Sequence, residues 1–164
     1  MRYLKPTGKI EIEGKIYDII FSLDVIDEVQ SRTEMSIIEV IRLLLSKKHK
    51  KAALSVLLKY LTGQEILIND DTLDYYSQAL INIFIDQIKY KDMPKPKKDD
   101  DTEEIPFIDV EYWFYVGKVV LGFRTDEVWR MTIGQIRTLL QEYYKFHGLI
   151  KDDKIYNVDD VIPY

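Results

Sequence analysis

Cysteine is absent from this chain, which removes disulfides, thiolate nucleophiles and cysteine-ligated zinc from anything it does. Glycine is sparse as well: the seven glycines, at 8, 14, 63, 117, 122, 134 and 148, never take up GxGxxG or P-loop spacing, so nucleotide hydrolysis has no support. There are two histidines. His49 falls in a lysine-rich helix junction and His147 at a helix end, far apart and with no nucleophile pattern nearby, and a histidine near a helix C-terminus ordinarily serves the macrodipole. No stretch approaches the roughly 18 consecutive apolar residues of a membrane span. The opening MRYLKPTGKIEIEG alternates charge and apolarity where a secretory signal would be continuously apolar. The expectation is a cytoplasmic protein with no membrane contact.

What is present suits a globular domain. With 164 residues, 46% of them hydrophobic, the chain can build one ordinary core, or a modest core with a small satellite domain. A net charge of -5 and a pI near 5.1 disfavour nucleic acid unless lysines gather on one face. The one such gathering is Lys47, Lys48, Lys50 and Lys51, between two apolar helical runs, where cations complement the preceding helix dipole and stay solvated. Paired carboxylates at 70–71, 99–101, 152–153 and 159–160 lack EF-hand spacing and read as caps and solvated charge. No metal or other cofactor is expected, and no catalytic constellation: an enzyme would have to be assembled from carboxylates and tyrosines alone.

Periodicity gives the organisation. In KIEIEGKIYDIIF, residues 9–21, Ile10, Ile12 and Ile16 alternate with Glu11, Glu13 and Lys15 around Gly14, which predicts a short β-hairpin. Ser22 or Asp24 then caps a helix through Arg32 carrying Val25, Ile26 and Val29. Thr33 or Ser36 caps a second helix with Ile37, Ile38, Val40, Ile41, Leu44 and Leu45, stopped at Ser46-Lys47-Lys48. A third runs over about 50–62 and ends at Gly63. Asp70, Asp71 or Thr72 opens the longest, on which Leu73, Tyr76, Leu80, Ile83, Phe84, Gln87 and Ile88 share a buried face. MPKPKKDDDTEE, residues 93–104, has almost no apolar content and reads as a flexible tether.

Beyond it Asp109 caps a helix bearing Tyr112, Trp113, Val116, Val119 and Val120, closed by Gly122. Thr125 opens the short turn TDEVWRM. Thr132 with Gln135 forms a capping box ahead of Ile136, Leu139, Leu140 and Tyr143, and Gly148 stops that helix. Tyr75-Tyr76 and Tyr143-Tyr144 each read as one core ring and one rim ring. Tyr112, Trp113, Phe114 and Tyr115 are consecutive, and a helix cannot turn all of them toward one small core. The fold expected is mainly α: an N-terminal β-hairpin and helical bundle over 1–91, a flexible acidic linker over 92–106, a small helical C-terminal domain over 107–148, and an acidic tail over 149–164.

This order of parts resembles the tail assembly chaperones of long-tailed bacteriophages. The hairpin KIEIEGKIYDIIF leading into VIDEVQSR resembles the shorter chaperone of those phages. Leu121-Gly122-Phe123, Asp126-Glu127-Val128-Trp129 and Met131-Thr132 before IGQIRTLLQEYYKF resemble the extension added by programmed frameshifting. The lysine-containing stretch Lys95 to Lys98 suits the junction, and the acidic tail is the departure from the pattern. The resemblance implies a non-enzymatic, fused, two-part protein of the bacterial host cytoplasm. Its N-terminal part would shield the tape measure protein and its C-terminal part recruit tail tube subunits, with self-association and without nucleic acid.

Large side chains that a small helical unit cannot all bury mark the partner contacts expected from sequence: Tyr112, Trp113, Trp129 and Met131. The competing reading is a helix-turn-helix transcriptional regulator made of helices 33–47 and 50–62 with lysines at the phosphates. Its second helix, AALSVLLKYL, offers bases little beyond Ser55 and Lys59.

Overall fold

The computed structural model describes residues 8–88 and 108–149. The expected linker over 92–106 and the tail beyond Leu149 lie outside them. The described residues are mainly helical behind a two-stranded hairpin, the architecture expected from the sequence.

Strands β1 (Lys9–Ile12) and β2 (Lys15–Asp18) are antiparallel. They are joined by Glu13 and Gly14, with φ of 51° and 78°. Two successive positive φ angles give the turn whose twist matches the flanking strands, and glycine takes the second at no steric cost. This turn fixes the register. Ile10 pairs with Tyr17 and Glu11 with Ile16, so Ile10 and Ile12 are buried while Ile16, 65% exposed, stands on the solvent face beside Glu11. The alternation along the sequence does not carry through the turn: a two-residue turn places Ile16 opposite Glu11, and facing residues point to the same side.

After the hairpin, Ile19 and Phe21 are fully buried in extended backbone leading to α1 (Leu23–Thr33). Next come α2 (Ile37–Leu43), α3 (Lys50–Thr62) and, after a single 3-10 turn at Asp70–Thr72, α4 (Leu73–Ile88). Ser36 and Glu39 close a capping box on α2. That helix stops two residues short of the expected Leu45, because the amides of Leu44, Leu45 and Ser46 turn to carbonyls three residues back, tightening the end. Leu44 is buried by this turn and Leu45 exposed. Gly63 ends α3 with φ of 69°.

The second group is α5 (Val110–Tyr115), continued by a π-helical turn at Val116–Val120, then α6 (Thr125–Trp129) and α7 (Ile133–Phe146). Asp109 accepts the Tyr112 amide at 2.8 Å as the N-cap of α5, and Thr132 and Gln135 form the capping box of α7.

Helix α6 packs against the π-turn. A Cβ on Gly117 would lie 2.7 Å from Val128 Cγ1, so only glycine admits the fully buried Val128 against this backbone. Val119, within this wider turn, is 60% exposed.

The two helical groups share one core. Helix α7 packs on α4, α5 on α1, and a single cluster of buried side chains runs from Ile10 to Tyr144. Ser22 pairs with Thr132 in an isolated antiparallel bridge, and the Met131 carbonyl accepts the Leu23 amide at 3.0 Å. That bond satisfies the first N–H of α1, one of the donors a helix cannot pair internally.

Two buried glutamines complete the framework by imitating strand pairing with their amides. Gln87 on α4 accepts from Phe21 N and donates to Ile19 O, both at 2.7 Å. Gln30 on α1 donates to Ile108 O and accepts from Ile108 N, both at 3.0 Å, and also accepts from Ile37 N at 3.2 Å. Gln87 holds buried irregular backbone, and Gln30 holds half-buried backbone ahead of α5 together with the first amide of α2, polar groups that would otherwise be orphaned.

Candidate partner-binding surface

The residues expected from sequence to meet a partner divide by burial. Trp113 is 7% exposed and Met131 8%; both belong to the core of this fold and offer a partner almost no surface. The Trp113 indole lies under the guanidinium of Arg137, 5.0 Å from the ring centre, and edge-on to Tyr112 at 5.1 Å. Arg137 also donates to the Ile88 carbonyl at 3.4 Å, at the C-terminus of α4, where a cation complements the helix dipole. Tyr112 and Trp129 are half-buried, Trp129 against Phe114 at 4.8 Å.

The outward side chains of this region are Tyr115, 55% exposed, and Val119, 60% exposed. They are one turn apart on α5 and its π-turn, with Glu111 and Lys118 exposed beside them. Lys118 donates to Thr125 Oγ1 at 2.7 Å, tying the π-turn to the start of α6. The aromatic run therefore resolves into one buried ring, two partly buried rings and one presented to solvent. Sequence reasoning required that not all four face inward; which one turns out depends on Trp113 being taken by Arg137. Val119 is presented within a π-helical turn packed on Val128 at Gly117, a local departure that an α-helical period does not reveal.

A second apolar group lies at the end of α7, where Phe146 and Leu149 are exposed. Gly148, at φ of 66°, turns the chain so that Leu149 N donates to Tyr144 O, a helix-ending motif. His147 stacks on Tyr143 with ring centres 4.3 Å apart. The tyrosine pairs split as expected: Tyr76 and Tyr144 are buried, Tyr75 is exposed and Tyr143 half-buried.

Burial raises the Tyr144 phenol above its ordinary value, with Tyr143 adding to the shift. The unfolded chain thus gives up this proton first as pH rises. The contribution is fully present below about pH 10, the ordinary phenol value, and is lost as the pH climbs toward the raised folded value. Urea midpoints measured from pH 8 upward should fall on the alkaline side, and Tyr144→Phe should flatten that fall.

Among the described residues no three His, Cys, Asp or Glu side chains come together as a metal site, and no helix is long and apolar enough to cross a membrane. A groove of about 220 Å³ between α1 and α3 is lined by Asp24, Val25, Glu28, Lys59, Tyr60 and Gly63. Its charges have partners: Glu28 holds Arg32 at 3.3 Å, and Lys59 holds Glu65 at 3.0 Å, a hydrogen bond that raises the lysine's pKa.

The lysines at the junction of α2 and α3 are partly paired. Lys50 pairs with Asp74, and Lys51 with Asp70 at 2.7 Å, so half of the lysine cluster faces carboxylates that would meet a phosphate backbone with repulsion. Ala53, Leu54, Leu57 and Leu58 of α3 are buried.

No family model, curated protein or solved structure matches this chain.

Proposed function

We propose that this chain is a tail assembly chaperone of the kind made by long-tailed bacteriophages: a non-enzymatic protein of the host cytoplasm that shields the tape measure protein and recruits tail tube subunits. The observation that carries the reading is the β-hairpin running straight into a capped helical bundle, followed by a second helical group with its own caps and glycine stops. That is the order of parts of the family the sequence resembles.

The physics of the task suits such a chain. A long helical protein exposed before its tube forms is an aggregation hazard, and many copies binding weakly shield it through avidity without high affinity at any one site. Tyr115 and Val119 are the contacts assigned to the second group, as exposed apolar side chains one turn apart on packed helix, whereas Phe146 and Leu149 lie where α7 ends.

The test is affinity capture with the tagged full-length chain from cells expressing the neighbouring virion genes, at moderate salt, with mass spectrometry of what stays bound. The expected result is a tape-measure-type protein or a tube subunit. Retention of DNA with a steep salt dependence would overturn the assignment in favour of the regulator.

A further inference from the structure

We propose that the face of α1 and α4 covered by α5–α7 also accepts the α5–α7 group of a second copy of this chain, so that copies exchange these halves when crowded. The contacts that join the halves are the Ser22–Thr132 bridge, the Leu23–Met131 bond, the Gln30 clamp on Ile108 and the Arg137 bond to Ile88. Each is made between residues 8–88 and residues 108–149. None requires the two partners to be on the same copy, so a neighbour's half docks with the same bonds and the same buried side chains.

What permits the exchange is the length of the connection. Residues 89–107, nineteen in all, reach at most about 65 Å at 3.3–3.6 Å per residue. A body of this size is only about 35 Å across, from the usual scaling of radius of gyration with length. Exchange of an identical element is a low-cost route to association, because the contacts are already optimised in the closed form.

Concentration sets the balance. A tether of this order gives the chain's own half an effective concentration in the millimolar range or below. Dilute protein stays closed, and exchange begins when neighbouring copies reach that local density. Copies lined up on one long partner reach it, which would join them to one another as they coat it. That last step rests on the chaperone reading; the exchange itself does not.

The absence of cysteine makes the test clean. Ser22 and Thr132 are antiparallel bridge partners, with Cα atoms therefore about 4.5–5.5 Å apart, within disulfide range. The double variant Ser22→Cys, Thr132→Cys in the full chain, oxidised at micromolar concentration, is expected to give a cross-linked monomer on a non-reducing gel. Oxidised after refolding at millimolar concentration, it should give covalent dimers and higher forms, and the single-cysteine variants should not give this ladder.

Because the Thr132 hydroxyl caps α7, a second measurement uses the native sequence: light and isotopically heavy chains refolded together at millimolar concentration, then diluted and weighed by native mass spectrometry. Mixed dimers that outlast dilution, and are missing when the two are mixed already folded, support exchange. Monomer alone after concentrated refolding in both measurements overturns it, as does a dimer that forms equally well from folded chains and never cross-links through 22 and 132.

Discussion

Gln87→Leu should lower stability by roughly 2–4 kcal/mol, because it strands two buried backbone groups at once at about 1–3 kcal/mol for each orphan. The side chain is 8% exposed, and its amide pairs with Phe21 N and Ile19 O. Leucine is one atom shorter than glutamine but similar in volume, so the loss reads the hydrogen bonds far more than a cavity. With a urea slope of about 1–3 kcal/mol per molar, the midpoint should drop by about 1–2 M. The region has no room to relax. A Cβ on Gly8 would lie 2.5 Å from Ile83 Cγ2, 2.7 Å from Ile19 O and 2.9 Å from Gln87 Nε2, so the backbone is already packed to contact around the amide. Gln78→Leu, on the exposed side of the same helix where Gln78 meets only Asn82, should move the midpoint by less than about 0.5 kcal/mol equivalent. Equal midpoints for the two variants would show that the amide contributes nothing beyond its bulk.

The glutamines also show what sequence pattern reads and what it does not. Helix boundaries were legible because their signals are local: Ser36, one of the two caps read for α2, Thr132 with Gln135, Asp109 ahead of α5, and glycines at 63, 122 and 148 all stand at helix termini in the structure. Gln87 was legible as a buried position from its spacing with Leu80 and Phe84, yet its partners sit 66 and 68 residues away. No local rule names such a partner. The same limit applies to Gln30, which reaches Ile108 across 78 residues. The register of Ile16 and the π-turn at Gly117 depend on turn geometry and on a helix packed alongside, and neither is written in hydrophobic period.

The candidate surface was legible in part for the same reason. Crowding of Tyr112, Trp113, Phe114 and Tyr115 pointed to the right segment. The choice of ring depended on Arg137, 24 residues on, covering Trp113. Met131 looked like a free apolar side chain because its role is carried by its carbonyl on Leu23 as much as by its buried thioether.

Trp113→Ala and Tyr115→Ser should therefore behave in opposite ways, two residues apart on one helix. Removing the Trp113 ring empties a site bounded by Tyr112 and Arg137, and large-to-small changes of a buried tryptophan cost about 3–5 kcal/mol. Against a total of about 5–15 kcal/mol, that loss brings the protein near its unfolding threshold. Because α5 and α7 share a core with α1 and α4, the loss should appear as one transition of the whole body, seen alike by far-UV circular dichroism and by tryptophan fluorescence from Trp129. A separate early transition confined to the second group would instead show the halves melting independently. Tyr115→Ser, alone or with Val119→Ser, removes side chains that are 55% and 60% exposed and should leave the midpoint within about 0.5 kcal/mol. If this face meets the partner, the double variant should keep its fold and lose capture by at least tenfold, since exposed apolar anchors act on binding without acting on the core. Capture undiminished in the folded double variant would move the contact away from α5, toward Phe146 and Leu149 at the end of α7, where the next large apolar side chains stand in solvent.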